Sequence, residues 1–174
     1  MKIVLLGYMG SGKSTIGQAL SDLLNLPFKD LDEEIARRVG MPVSKIFDQK
    51  GEVFFRKKEA AVLQELLDDS THFILALGGG TPCYGSNMDL IEETPGVLSI
   101  YLKASVAELT SRLSNGQQER PLLYGRSESD LAEFIGKHLF ERMPFYERAD
   151  HSLAIASKTP KEIVNEINKL LEVR

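Results

Sequence analysis

The chain has 174 residues, of which 43% are hydrophobic, which is enough apolar material for one compact core and too little length for a second independent domain. With 21 Lys+Arg against 25 Asp+Glu spread along the chain, a net charge of -4 and no long apolar run, the composition excludes a broad basic face for duplex nucleic acid and a helical membrane span. The lone Cys83 cannot close an internal disulfide, and an apolar strand begins at once with no signal-peptide pattern. The expectation is therefore a cytoplasmic monomer acting on small soluble partners.

Short apolar runs rich in β-branched residues alternate with longer segments of helical period. That pattern predicts an α/β fold, a five-stranded parallel sheet with helices on both faces. Strands are expected at 2–6, 28–31, 73–77, 97–102 and 152–155, and the third and fourth read as nearly continuous apolar runs suited to central strands. Helices are expected at 13–24, 32–39, 43–47, 52–67, 87–92, 106–113, 128–146 and 160–171, with Pro160 in a first turn that needs no N–H there.

The first strand runs into Gly7-Tyr8-Met9-Gly10-Ser11-Gly12-Lys13-Ser14, which matches GxxxxGK[ST] and opens the first helix. Glycines let successive backbone N–H groups turn inward toward phosphate oxygens, helped by the positive end of the helix. Gly10, Ser11, Gly12, Lys13, Ser14 and Thr15 are thus the expected ATP cradle, with Lys13 on the β and γ phosphates and the Ser14 hydroxyl on magnesium. The expected fold is a P-loop NTPase of the nucleoside-monophosphate-kinase kind. A GTPase is disfavoured, because the DxxG at 48–51 precedes a helix and no NKxD follows.

Further along, Asp30 and Asp32 close the second expected strand, where alternation would point both carboxylates to one side of the ligand-binding edge. They either complement the following helix, with Glu33 and Glu34, or orient and deprotonate a hydroxyl acceptor. Arg56 lies in the first turns of its helix, where the dipole disfavours a cation. Its partner is Glu59 one turn on, and the pair serves either for that charge balance alone or also to position Arg56 for an anionic ligand. Gly78, Gly79 and Gly80 follow the third strand at the same edge, as a close approach of backbone to ligand or as a tight turn.

The polar stretch 114–127 has no period and reads as a lid or as a surface insertion. Arg142 stands beside an apolar stripe just before Pro144, which should end or kink the helix. Its planar fork suits a carboxylate or phosphate ligand, or an ordinary ion pair.

Taken in order, GYMGSGKST, DLD, GEVFFRKKE, LALGGGTP, ERPLL and ERMPFYERAD resemble the shikimate kinase family over essentially the whole chain. That resemblance implies transfer of the γ-phosphoryl group of ATP to the 3-hydroxyl of shikimate, a cyclohexene carboxylate triol, giving shikimate 3-phosphate and ADP. Asp32 would bind the acceptor hydroxyls as or near the general base, within an acceptor-binding segment of about 32–61. Arg56, Arg142 and the Gly79 backbone, with Gly78 and Gly80 beside it, would hold the carboxylate. Phe47 and Phe55 would line the ring pocket, and Arg120 of the lid would reach the transferring phosphate. Arg112 and Pro160 would frame adenine, and Asp30 would contact Mg2+ through water. Ala76 departs from relatives with a serine there, so no metal role is assigned to it. Gluconate and nucleotide kinases share the loop, the lid and a similar sheet, and are the rival reading.

Overall fold

The computed structural model describes residues 1–114 and 127–172, apart from the side chain of Glu128. In chain order the elements are β1 (Lys2–Leu6), α1 (Lys13–Leu24), β2 (Phe28–Asp30), α2 (Leu31–Val39), α3 (Val43–Asp68), β3 (Phe73–Ala76), a 3₁₀ turn (Thr81–Cys83), α4 (Asn87–Glu93), β4 (Val97–Lys103), α5 (Val106–Ser114), α6 (Glu128–Tyr146), β5 (His151–Ala154) and α7 (Pro160–Glu172). The lid expectation and Arg120 fall at 115–126, outside the described residues.

All strand pairs are parallel, and the order is β2-β3-β1-β4-β5. β1 is buried at every position, as is β3, and β4 is buried in all but its last residue. Helices cover both faces, so these runs have no polar side to present and read as unbroken apolar segments. β5, at one edge, alternates half-buried and exposed residues and lies one residue earlier than expected. The chain leaves β1 for β2 on one side and later crosses to β4 on the other, so the strand order reverses around β1. Open α/β sheets bind ligands at such a reversal, beyond the carboxyl ends of the strands.

Packing on the sheet brings α1 very near β2. A Cβ built on Gly17 would fall 2.3 Å from the Phe28 ring, so this mid-helix glycine permits the approach. On its other flank α1 meets α7, whose buried face is Ile163, Val164 and Ile167.

Two boundaries differ from expectation in ways that matter for the site. β2 stops at Asp30, one residue short of the expected end, and α2 starts at Leu31, so Asp32 lies beyond the strand. Strand alternation therefore does not orient the two acids. Instead Asp30 is the N-cap of α2, its carboxylate accepting from the Asp32 N–H at 3.0 Å. α3 combines the two helices expected at 43–47 and 52–67, with a break at Gly51, whose φ of 80° and ψ of 169° are not helical. No helix among the described residues is long and apolar enough to cross a membrane.

Candidate active site

The phosphate loop joins β1 to α1. Gly12, the N-cap of α1, has a φ of 90° that a side chain would strain, and it offers no side-chain cap. The first turn of α1 contains no acid either. Its leading N–H groups and the positive end of its dipole are thus left for an anion, the arrangement a phosphate needs. Lys13 Nζ donates to the carbonyls of Gly7 at 2.8 Å and Tyr8 at 3.0 Å, which holds the ammonium over the loop. The Ser11 N–H closes the loop by donating to Tyr8 O at 3.1 Å, while among the described residues its buried hydroxyl has no hydrogen-bond partner.

A cavity of about 510 Å³ opens from this loop, lined by Gly10, Gly12, Lys13, Ser14 and Thr15 and, across from them, by Asp30, Asp32, Gly78 and Gly79. The expected phosphate ligands and the expected acceptor carboxylate therefore face one space. The Asp32 carboxyl is pushed up to about 6, first by burial and then by the charges of Asp30 and Glu59, with Lys13 and Arg56 acting in the opposite direction. A carboxyl poised there is matched to taking a proton near neutral pH.

Ser14 Oγ donates to Asp30 Oδ2 at 3.1 Å, so a hydroxyl and a carboxylate stand together beside the phosphate cradle. Both are hard oxygen donors, as magnesium prefers. Among the described residues no cluster of three or more His, Cys, Asp or Glu side chains could hold an ion without help. Magnesium keeps several waters and shares substrate phosphates, so a hydroxyl and one carboxylate suffice as protein donors.

The three glycines after β3 are a close approach, but to protein charges. A Cβ on Gly78 would lie 3.1 Å from Asp32 Oδ1 and 3.5 Å from Glu59 Oε1. One on Gly79 would lie 3.6 Å from Arg142 Nη1, and one on Gly80 would meet Arg56 Nη2 at 2.8 Å. Missing side chains thus let two carboxylates and two guanidinium groups converge on a single turn. Backbone carbonyls fix that turn: Gly78 O accepts from Thr81 N, Gly80 O from Cys83 N, and Gly79 O from the Tyr146 hydroxyl.

The two arginines differ in their partners. Arg56 is paired, with Nη1 2.9 Å from the fully buried Glu59 and Nε 3.4 Å from Glu52. Arg142 lies 5.5 Å from the Tyr8 ring, and among the described residues no carboxylate reaches it within ion-pair distance. The pairing that both readings of Arg56 require is present, and Arg142 has no ion pair among the described residues. Pro144 lies inside α6, which runs on to Tyr146, so the helix ends shortly after the proline and not at it. Burial raises the Tyr146 hydroxyl well above the ordinary tyrosine range, while Arg142 opposes the shift.

Arg112, near the end of α5, donates to Gly10 O at 3.2 Å. It lines a second cavity, of about 280 Å³, with Ser11, Thr15, Lys158 and Pro160, so the two residues expected near adenine do share a wall beside the loop. Phe47 and Phe55 stack at 4.4 Å, with Phe55 in the core and Phe47 packed against it. Neither lines the 510 Å³ cavity.

Some contributors had no sequence signal. Thr81, whose hydroxyl donates to Glu59 Oε1 at 2.7 Å, and Tyr84, at the end of the 3₁₀ turn, were unremarkable letters after the glycines. Tyr8 occupies a variable position of the loop motif, yet its ring lies under Arg142 and its hydroxyl is 3.3 Å from His138 Nδ1. The helical spacing of His138 and Arg142 could have flagged the last contact.

Comparison with known proteins agrees with this geometry. The shikimate kinase family model matches residues 9–172. A shikimate kinase of Flavobacterium psychrophilum is 49% identical over 170 residues, covering 98% of each chain. The crystal structure of the shikimate kinase from Bacteroides thetaiotaomicron superposes with a TM-score of 0.90 at 34% identity, covering 99% of this chain and 98% of its own. That of Acinetobacter baumannii, in complex with shikimate, gives 0.85 at 31% identity, covering 99% and 93%. A gluconokinase from Sinorhizobium meliloti 1021 shares the fold alone, with a TM-score of 0.57 at 22% identity over 98% and 93%. On a match that spans nearly its whole length, the chain belongs to the shikimate kinase family.

Proposed function

We infer that this chain phosphorylates the 3-hydroxyl of shikimate with ATP, yielding shikimate 3-phosphate and ADP. The carrying observation is that Asp32 packs against Gly78 while Arg142 packs against Gly79. Adjacent residues thus set a hydroxyl-binding carboxylate beside a guanidinium with no carboxylate partner among the described residues. An acceptor that is both a polyol and an acid fits that pair.

In this reading Asp32 accepts the proton of the attacking hydroxyl. The oxygen bonds to the γ-phosphorus as the bond to the bridging oxygen breaks, and ADP departs. Lys13 counters charge on the phosphates from its place over the loop, and the N–H groups leading into α1 hold them in line. Arg56 and Arg142 orient the acceptor through its carboxylate, within the acceptor segment of about 32–61 and the end of α6. Phe55 supports Arg56 from the core, its ring lying 5.3 Å from the guanidinium, and Phe47 packs on Phe55. Arg112 and Pro160 frame the base of the nucleotide. Ser14, and Asp30 through water, would hold magnesium, which would supply further neutralisation of phosphate charge. Small soluble substrates suit a cytoplasmic monomer.

The test is ADP release measured with shikimate, gluconate and nucleoside monophosphates in turn. Turnover with shikimate alone is expected. Turnover with gluconate or a nucleotide instead would overturn the acceptor.

A further inference from the structure

Arg56 is gripped from two elements. Along α3, Glu52 Oε1 lies 3.4 Å from its Nε and Glu59 Oε2 lies 2.9 Å from its Nη1. The segment after the glycines supplies the rest. Thr81 donates to Glu59 at 2.7 Å, and the Tyr84 hydroxyl donates to Glu52 Oε1 at 2.6 Å. The Tyr84 ring lies 3.8 Å from the guanidinium carbon. One turn of chain therefore pins both carboxylates that flank Arg56, and the Asn87 amide steadies it by donating to Thr81 O at 2.8 Å.

The contact is not a by-product of burial, because Tyr84 is 39% exposed and borders an outer cavity with Glu52, Arg56 and Lys57. A phenol half in water keeps to a guanidinium because the ring face attracts the cation. Its hydroxyl also claims the same Glu52 oxygen that faces Arg56. Glu52 is thereby held at a long 3.4 Å from the guanidinium and does not close on it as a tight pair.

We propose that Tyr84 is a positioning residue for the acceptor. It stacks on Arg56 and restrains Glu52, so that the guanidinium stands over Gly80 for a substrate carboxylate with less competition from Glu52, while Glu59 stays paired to it. This role rests on the reading of the acceptor as shikimate. A pre-stacked arginine has already lost the rotamer freedom that binding would otherwise remove, so the benefit appears in acceptor affinity.

The test compares Tyr84→Phe, Tyr84→Ala and the double variant Tyr84→Phe/Glu52→Gln, with shikimate and with its methyl ester as acceptors. Tyr84→Phe is expected to raise KM for shikimate by roughly three- to tenfold, the scale of one weakened charge contact. Tyr84→Ala raises it further, while kcat and KM for ATP stay near the wild-type values in both. The ester, which lacks the charge that Arg56 meets, is affected less. Removing the Glu52 charge in the double variant restores part of the loss, which a merely structural role for Tyr84 does not predict. An unchanged KM in both single variants, or an equal rise for acid and ester, overturns the proposal. Wild-type protein that neither binds nor phosphorylates shikimate overturns the acceptor reading itself, a result seen before any variant is compared.

Discussion

The Asp30 carboxylate accepts the Asp32 N–H at 3.0 Å with one oxygen and the Ser14 hydroxyl at 3.1 Å with the other. One side chain therefore starts α2, sets the backbone that carries Asp32 and ties both to the phosphate loop. Its charge also helps keep the neighbouring carboxyl protonated to higher pH, second only to burial.

Asp32→Asn is expected to lower kcat at least about a hundredfold while leaving ATP binding nearly intact, since a general base is worth that much. Steady-state kinetics together with nucleotide titration test this, and near-normal turnover removes Asp32 from the chemistry. The same variant should be the more stable protein. The unfolded chain releases this proton near 3.8 and the folded one near about 6, so stability falls as pH rises through that window and stays lowered above it. Thermal melts should favour Asp32→Asn near neutral pH by on the order of 1–2 kcal/mol, discounted because solvent still reaches the carboxyl, with the gap closing toward pH 4.

The acid limb of kcat/KM for shikimate should fall at or below about 6, where Asp32 takes up its proton. Activity is lost as pH drops through that value, because only the carboxylate accepts the hydroxyl proton. A bound cation would move the limb lower, never higher. A wild-type profile flat down to about pH 4 would rule out a raised Asp32 as the base.

Arg142→Ala should weaken the acceptor by about 1.5–3 kcal/mol, the worth of a charge-assisted hydrogen bond. KM for ATP should hold. Isothermal titration with shikimate reads the effect directly. An unchanged affinity would return Arg142 to a purely structural place against Tyr8.

Gly17→Ala tests packing instead of chemistry. A methyl there meets the Phe28 ring at 2.3 Å, so α1 must move off β2 or the ring must turn. The cost of such overpacking is about 1–3 kcal/mol even though alanine is the better helix former. Denaturant unfolding should show a lower midpoint with an unchanged slope. A stabilised variant would mean that the Phe28 side chain moves aside freely.

The phosphate loop and the sheet were legible because both depend on local pattern. A glycine-rich turn between an apolar strand and a helix leaves few conformations, and runs such as Phe73–Ala76 have no polar face to offer solvent. The order β2-β3-β1-β4-β5, with its reversal at β1, follows from packing across the whole chain and is written in no single segment. Asp30 and Asp32 were read as site residues for a wrong local reason. Strand alternation is the expectation where a helix cap does the orienting, because a boundary one residue off is invisible to hydrophobic period.

By itself the sequence determined which charges the molecule must accommodate: Lys13 in its loop, Asp32 after the second strand, and Arg56 and Arg142 on two helices far apart in the chain. Only the tertiary structure decided how they are used. It gave Arg56 two carboxylate partners and Arg142 none among the described residues, and it filled the space left by Gly78, Gly79 and Gly80 with their side chains. The physical reason is distance along the chain. An ion pair at i, i+3 can be anticipated from spacing, whereas the hold of Thr81 and Tyr84 on the acids beside Arg56 exists only once β3 has brought that turn against α3.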